Sequence, residues 1–201
     1  MRKMFLAALA LIFGVAIGAP RSFAQASASA DKTAPSYDMK AQSLLDLEQL
    51  QHKFVGLAEA VPQEKYTWRP GPGVRSISEV FLHVAGANYY FPTMFGAAPS
   101  PGFEGKNFET STTDKAAIID QLNKSFAYAH AAIEKLTNAN FADPQKKLGP
   151  DANTGDVVYL LVTHAHEHLG QSIAYARVNS IEPPWTAEAE KKKAEAAPKD
   201  E

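Results

Sequence analysis

The sequence contains no cysteine among its 201 residues. This absence excludes a disulfide framework, a cysteine-ligated zinc ribbon and a cysteine nucleophile. A metal site in this chain must therefore be built from histidine, carboxylate and water. The length is enough for one ordinary domain with a hydrophobic core, and it is too short to predict two.

The chain also lacks an excess of positive charge. It has 20 basic and 22 acidic residues, which gives a formal net charge of -2 and a pI near 6.3. Proteins that bind nucleic acid normally carry a basic face, so we expect no nucleic-acid partner. Residues 1–24 hold three basic residues and no acid. The rest of the chain therefore has 17 basic and 22 acidic residues. The remaining chain is then a poor candidate for an anionic membrane surface.

Residues 1–24 have the layout of a secretory signal peptide. Arg2 and Lys3 precede the apolar residues 4–19, and Ser22 and Ala24 supply small side chains before a predicted cleavage after Ala24. Ala26 is the alternative cleavage position. The other interpretation is a retained membrane anchor, but the apolar run is at the short end for a spanning helix. We therefore expect an exported protein, periplasmic or secreted, with no stable membrane insertion after cleavage.

Hydrophobic residues recur at three- and four-residue steps in the rest of the chain, and no segment shows the alternation typical of a strand. The pattern predicts helices at about residues 39–61, 76–91, 113–137 and 156–179. Long connections that contain proline and glycine separate them. We predict an all-α four-helix bundle with long crossover connections over residues 38–184. A disordered linker is expected at residues 25–37, and a charged flexible tail at residues 185–201.

Three of the six histidines fall within residues 164–168. His164 and His168 are four residues apart, which on a helix is a rotation of only about 40°, so both imidazoles lie on one face. That spacing suits a transition metal, and it suits two hydrogen-bonded core histidines equally well. His83 lies on another apolar helix face and is the candidate for a third ligand. His166 is rotated by about 200° from His164 and is expected to point away.

The other polar residues near the predicted site are weaker candidates for a role in metal binding. His52 and His130 are interpreted as surface or boundary residues, and Glu167 is expected to point sideways from its helix. Gln171 continues the stripe of His164 and His168 by another turn. Its amide is therefore a candidate to hold a metal-ligating imidazole or a water. No general base is evident in the sequence.

Two segments of the chain together resemble the DinB-like superfamily of metal-binding four-helix bundles. Residues 76–84 read SISEVFLHV and are similar to the second-helix segment of that family with its single histidine. Residues 164–171 read HAHEHLGQ and are similar to the family's HxxxHxGQ stretch. The resemblance implies that His83, His164 and His168 are metal ligands, with water at the open positions, and that the metal is zinc or nickel. Relatives include thiol transferases and isomerases. This chain differs from the cytosolic members of the family in its predicted export signal.

Two functions remain open from the sequence. The first is an exported metal-dependent enzyme, a hydrolase or transferase, whose metal activates a water or a substrate nucleophile. The alternative is a non-catalytic module of the cell envelope that binds a metal or a small ligand. A metal-free helical interaction domain is a third possibility, and a homodimer is compatible with each of them.

Overall fold

The structure is a computed structural model that describes residues 37–101 and 103–196. The predicted signal peptide lies outside these residues, as does the predicted linker apart from Tyr37. The described residues form helices and no strands. The α-helices are α1 (Met39–Ala60), α2 (Ile77–Met94), α3 (Lys115–Glu134), α4 (Thr154–Val178) and α5 (Pro184–Ala196), and three short 3-10 helices lie in the connections. None of these helices combines the length and the apolar character needed to cross a membrane.

Two lysines show that α1 and α3 are antiparallel. Lys40, near the start of α1, donates to the backbone carbonyls of Glu134 and Leu136 at 2.6 and 2.7 Å. Lys115, the first residue of α3, donates to the carbonyl of Val61 just after α1 at 2.9 Å. Each lysine therefore supplies a donor to carbonyls that a helix end leaves without a partner, and the two helices are antiparallel.

The four long helices are arranged as a bundle in which consecutive helices are not always neighbours. Both α1 and α2 pack against α3 and against α4, so α1 and α2 occupy opposite corners. The connection between α2 and α3 runs back along α2, where Phe108 packs on Tyr89 and comes close to Gly86. This arrangement confirms the predicted four-helix bundle with a long crossover connection.

The start of α2 follows the sequence prediction. The Ser76 hydroxyl accepts from the Glu79 backbone N–H at 3.3 Å, and the Glu79 carboxylate accepts from the Ser76 N–H at 2.7 Å. This capping box fixes the first turn of the helix that carries His83. The predicted end near residue 91 is wrong by a short margin, because α2 continues to Met94. Pro92 lies in the last turn, so the N–H that it lacks removes one i→i−4 hydrogen bond, and the helix ends two residues later.

The tail after the bundle is the main correction to the predicted organisation. Residues 185–201 were expected to be flexible, but α5 covers Pro184–Ala196. Trp185 packs against the hydrophobic core, and the Lys53 ammonium lies 6.0 Å from the centre of its ring. One half-buried aromatic side chain and a run of strong helix formers stabilise a segment whose composition alone indicated solvation.

The core is centred on three aromatic rings. Phe54 of α1 is fully buried and lies between Phe81 of α2, at 6.4 Å between ring centres, and Phe126 of α3, at 5.8 Å. These contacts join three of the four helices. They hold α2 in place, so that the face carrying His83 is turned towards α4.

Candidate metal centre

Helices α2 and α4 bring three histidines together at one edge of the core. The ligand nitrogens of His83, His164 and His168 all lie within 4.8 Å of one another. The Nε2 atoms of His83 and His164 are 3.0 Å apart. All three side chains are half-buried, and the three ring centres are 4.5 to 4.9 Å from one another. The structure thus assembles the set of residues that the sequence predicted.

This donor set fits a divalent transition metal. Zinc lies about 2.0–2.1 Å from its histidine ligands, so two nitrogens on one tetrahedral ion are roughly 3.3 Å apart. The nitrogens of the three histidines are close enough to approach that arrangement through small side-chain rotations. Imidazole is a ligand that both zinc and nickel accept. The group can therefore hold a metal ion, and three protein ligands leave at least one position for water or substrate.

His83 is held by a carboxylate from outside the α-helices, in the short 3-10 helix Phe108–Thr110. The Glu109 Oε1 atom lies 2.5 Å from His83 Nδ1, and Glu109 is part of the crossover connection. Arg75 donates to both oxygens of this carboxylate, from Nε at 2.7 Å and from Nη2 at 3.3 Å. With Nδ1 occupied by Glu109, the Nε2 atom of His83 is the one that faces His164. This is the carboxylate and histidine pair that commonly fixes a metal-ligating ring.

The charge on Glu109 is maintained by its two partners. Burial on its own raises the pKa of a carboxyl group, but the hydrogen bonds to Arg75 and His83 and the positive charge of Arg75 outweigh it and lower the pKa of Glu109. Glu109 is therefore ionised at neutral pH and acts as an acceptor for both partners.

His168 is held by a second chain of hydrogen bonds that stays within α4. Its Nδ1 atom lies 2.8 Å from Gln171 Oε1, and Gln171 Nε2 donates to the Tyr175 hydroxyl at 2.9 Å. Tyr175 is buried and makes an edge contact with Trp68, with 5.4 Å between ring centres. Gln171 thus makes the contact expected of it, and Tyr175 fixes the orientation of the amide.

The surroundings of His164 and His168 favour the neutral form of both imidazoles. Burial, together with the neighbouring His168, His83 and Arg75, lowers the pKa of His164 from 6.5 to about 4. Burial also lowers the pKa of His168, against the effect of its hydrogen bond to Gln171. Because a metal binds the neutral ring, these two histidines need no deprotonation at pH 7 before they coordinate one.

The remaining histidines lie away from the centre. His52 and His166 are exposed, and His130 is half-buried, with its Nε2 atom 3.5 Å from a carboxylate oxygen of Glu48. Glu167 is exposed beside His168. These positions agree with the sequence interpretation, which kept all four residues out of the site.

Sequence reasoning missed Glu109 and Arg75. Glu109 lies in an irregular connection without hydrophobic periodicity, and Arg75 directly precedes the helix cap Ser76. The proline and glycine content of the connection indicated a loop but gave no sign of which acidic residue in it would return to α2. That Arg75 and Glu109 face each other depends on the tertiary fold.

A cavity of about 340 Å³ opens beside His83 and His164. His83 and His164 form part of its wall, and the rest comes from α2 and the crossover connection. The open side of the histidine cluster therefore adjoins a space that a small molecule can enter.

Comparison with known proteins supports the assignment of the fold. The model of the DinB superfamily matches residues 46–172, a range that includes all three histidines and Glu109. The crystal structure of a DinB-like protein from Bacillus cereus has a similar fold, with a TM-score of 0.63 at 15% sequence identity. The match covers 72% of this chain and 95% of that one. The comparison with curated proteins gives no match. On the strength of the family match, this chain belongs to the DinB superfamily.

Proposed function

We propose that this DinB-superfamily protein is an exported metal-dependent enzyme, a hydrolase or a transferase. In this proposal His83, His164 and His168 hold a divalent transition metal, zinc or nickel. The observation that carries it is the convergence of three imidazoles within 4.8 Å beside an open cavity. Three histidine ligands with a position left open are typical of catalytic metal sites, whereas structural sites are closed by four protein ligands.

The residues around the histidines have defined roles in this proposal. Glu109 and Gln171 fix the rings of His83 and His168 through their Nδ1 atoms, which leaves the Nε2 atoms for the metal. Arg75 keeps Glu109 ionised and in position. A metal bound there supplies Lewis-acid chemistry, which lowers the pKa of a water or a substrate nucleophile and polarises a substrate oxygen.

A second candidate function is a non-catalytic module that binds a metal or a small ligand in the cell envelope. One observation favours it: both oxygens of Glu109 are already occupied by Arg75 and His83. The carboxylate nearest to the histidines is therefore held as a positioning group and is not free to act as a general base. In this alternative the metal stabilises the bundle or captures a ligand.

Export is part of the proposal. It rests on three features of residues 1–24: the basic start, the apolar run and the small side chains before the predicted cleavage position. The partner is a small molecule, because the acidic remainder of the chain is unsuited to nucleic acid. A homodimer is also proposed. Cell fractionation and N-terminal sequencing of protein expressed from the full chain test export, with a new terminus after Ala24 as the expected result.

Metal content is the decisive experiment. Protein purified without chelators from expression of the full chain is analysed for metals beside His168→Ala and His166→Ala. We expect about one metal ion per chain in the wild type and in His166→Ala, and a large loss in His168→Ala. His166, the position of the matched control, lies on the same helix as His168 but is exposed. A metal-free wild type, or an equal loss in both variants, would contradict the proposed site.

Turnover separates the two candidate functions. The zinc- and nickel-loaded proteins are screened with ester, amide and phosphoester substrates and with acceptors for group transfer. The enzyme proposal predicts turnover in the wild type that His83→Ala, His164→Ala and His168→Ala abolish. The binding module predicts that the same variants lower the melting temperature and the metal content, with no reaction in any protein.

A further inference from the structure

We propose that the substrate of this site has a small, uncharged and apolar body, such as a single aromatic ring or a branched alkyl chain, with a polar head directed at the three histidines. The body would occupy the cavity between α2 and the crossover connection. This inference rests on the proposed function, and it adds the chemical class of the substrate.

The lining of the cavity is the first observation. His83 and His164 form one side, and half of the other lining residues are aromatic: Tyr90, Phe91, Phe103 and Phe108. Phe91 also makes an edge contact with the His164 ring, with 5.8 Å between the ring centres. The apolar surface thus begins directly beside the nitrogens that would hold the metal. A ligand whose head reaches the metal must place its body against these rings.

The aromatic wall is already packed in place. Phe103 and Phe108 meet edge to face at 5.1 Å between ring centres, and both rest on Tyr89 at 5.2 and 6.0 Å. Both rings also lie over Gly86 of α2, where a Cβ atom would be in ordinary van der Waals contact with them, 3.4 Å from a Phe108 ring carbon and 3.6 Å from one of Phe103. A wall held in this way needs little ordering when a ligand binds, which favours affinity for a rigid apolar group.

The charge of the lining is the second observation. Among the described residues, Glu109 is the one Asp, Glu, Lys or Arg residue that lines the cavity, and its carboxylate is paired with Arg75 and His83. In this part of the chain no lysine or arginine lines the cavity to pair with an anionic body. Placing an anionic body there would remove its hydration without providing a partner, which is costly. An uncharged body avoids that cost.

The volume sets the size of the ligand. At about 340 Å³ the cavity is at the lower end of the usual range for small-molecule sites. It accommodates a body of about one ring together with a head group. A dinucleotide or a long peptide exceeds that space.

Two hydroxamates test the inference without requiring knowledge of the reaction. Acetohydroxamic acid and benzohydroxamic acid share a metal-binding head and differ by a methyl against a phenyl group. The metal-loaded protein should bind benzohydroxamic acid about tenfold or more tightly, because the phenyl ring buries additional apolar surface in the cavity. Isothermal titration measures both dissociation constants.

Variants connect the preference to the cavity. Ala87 lines the cavity, and Ala87→Leu fills part of it without touching a metal-binding histidine. We expect this change to remove most of the preference for the aryl compound while metal content stays at the wild-type level. The matched control Ala174→Leu lies on an exposed position of α4 and should keep the preference. Phe91→Ala, which removes one ring from the wall, gives a second measure if Ala87→Leu does not fold.

The outcomes separate this inference from the proposal on which it rests. If the purified wild type contains no metal, the proposed function and the substrate class are both overturned. If it contains metal and binds the two hydroxamates equally, only the substrate class is overturned. A preference that Ala174→Leu and Ala87→Leu both retain also overturns it, because the aryl group then binds elsewhere.

Discussion

Glu109 and His83 lie 26 residues apart in the sequence, and the carboxylate of one is hydrogen-bonded to the ring of the other at 2.5 Å. His83 belongs to α2, whereas Glu109 belongs to the connection that returns along that helix. The candidate metal centre is therefore built on two helices and completed by a loop. Arg75, which precedes α2, fixes the loop carboxylate from the other side.

The first prediction follows from this contact. Glu109→Ala should lower the affinity for zinc or nickel by about 10- to 100-fold, because the ring of His83 loses the partner that fixes its orientation and raises its basicity. Competition with a chromophoric chelator measures the affinity. Circular dichroism of the same sample shows whether the bundle remains folded.

Two further variants isolate the cause of that loss. Glu104→Ala removes an exposed carboxylate from the same connection and should leave metal affinity unchanged. Glu109→Gln retains an oxygen acceptor without the charge and should give an intermediate affinity. If Glu104→Ala weakens metal binding as much as Glu109→Ala does, the effect is the general loss of negative charge and not the contact with His83.

The hydrogen-bond chain on α4 gives the second prediction. Gln171→Ala should lower metal affinity by up to about tenfold, since His168 Nδ1 loses its partner at 2.8 Å. Tyr175→Phe should have a smaller effect, because it removes only the hydroxyl that orients the Gln171 amide. The exposed Glu167→Ala is the matched control on the same helix. An unchanged affinity in Gln171→Ala, measured by the same chelator competition, would contradict the assigned role.

The helical parts of this site could be predicted from the sequence, and the loop parts could not. His164 and His168 share a face because a helix turns by a fixed angle per residue, and the apolar pattern around His83 turned it towards the core in the same way. The contact of Glu109 depends on the path of a connection that has no period. Trp185 was missed for a similar reason, because the composition around it is that of a solvated tail while one side chain reaches the core.

The pH dependence of stability in the metal-free protein is the third prediction. The pKa of His164 is lowered to about 4 in the folded state from an ordinary value of 6.5. As the pH falls below about 6.5, the unfolded chain gains a proton at this position that the folded chain takes up only near pH 4. The free energy of unfolding should therefore decrease between these values, and the lowered pKa of His168 adds to the decrease.

Urea denaturation after metal removal, at steps from pH 7 to pH 4, measures this dependence. His164→Phe should show a shallower decrease, because the ionisable group is gone. His166→Phe changes an exposed histidine on the same helix and should keep the wild-type slope. Equal slopes in the wild type and His164→Phe would show that His164 is not responsible.

The last prediction concerns α5, which was expected to be a flexible tail. Trp185 is half-buried, packs against the hydrophobic core and lies under the Lys53 ammonium. Trp185→Ala should therefore lower the free energy of unfolding by about 1–2 kcal/mol, the order expected when a partly buried large side chain is removed. Urea denaturation monitored by far-UV circular dichroism measures the change. Glu188→Ala, which alters an exposed side chain of the same helix, should stay within about 0.5 kcal/mol of the wild type. If both variants have the stability of the wild type, the packing of Trp185 contributes nothing to the stability of the bundle.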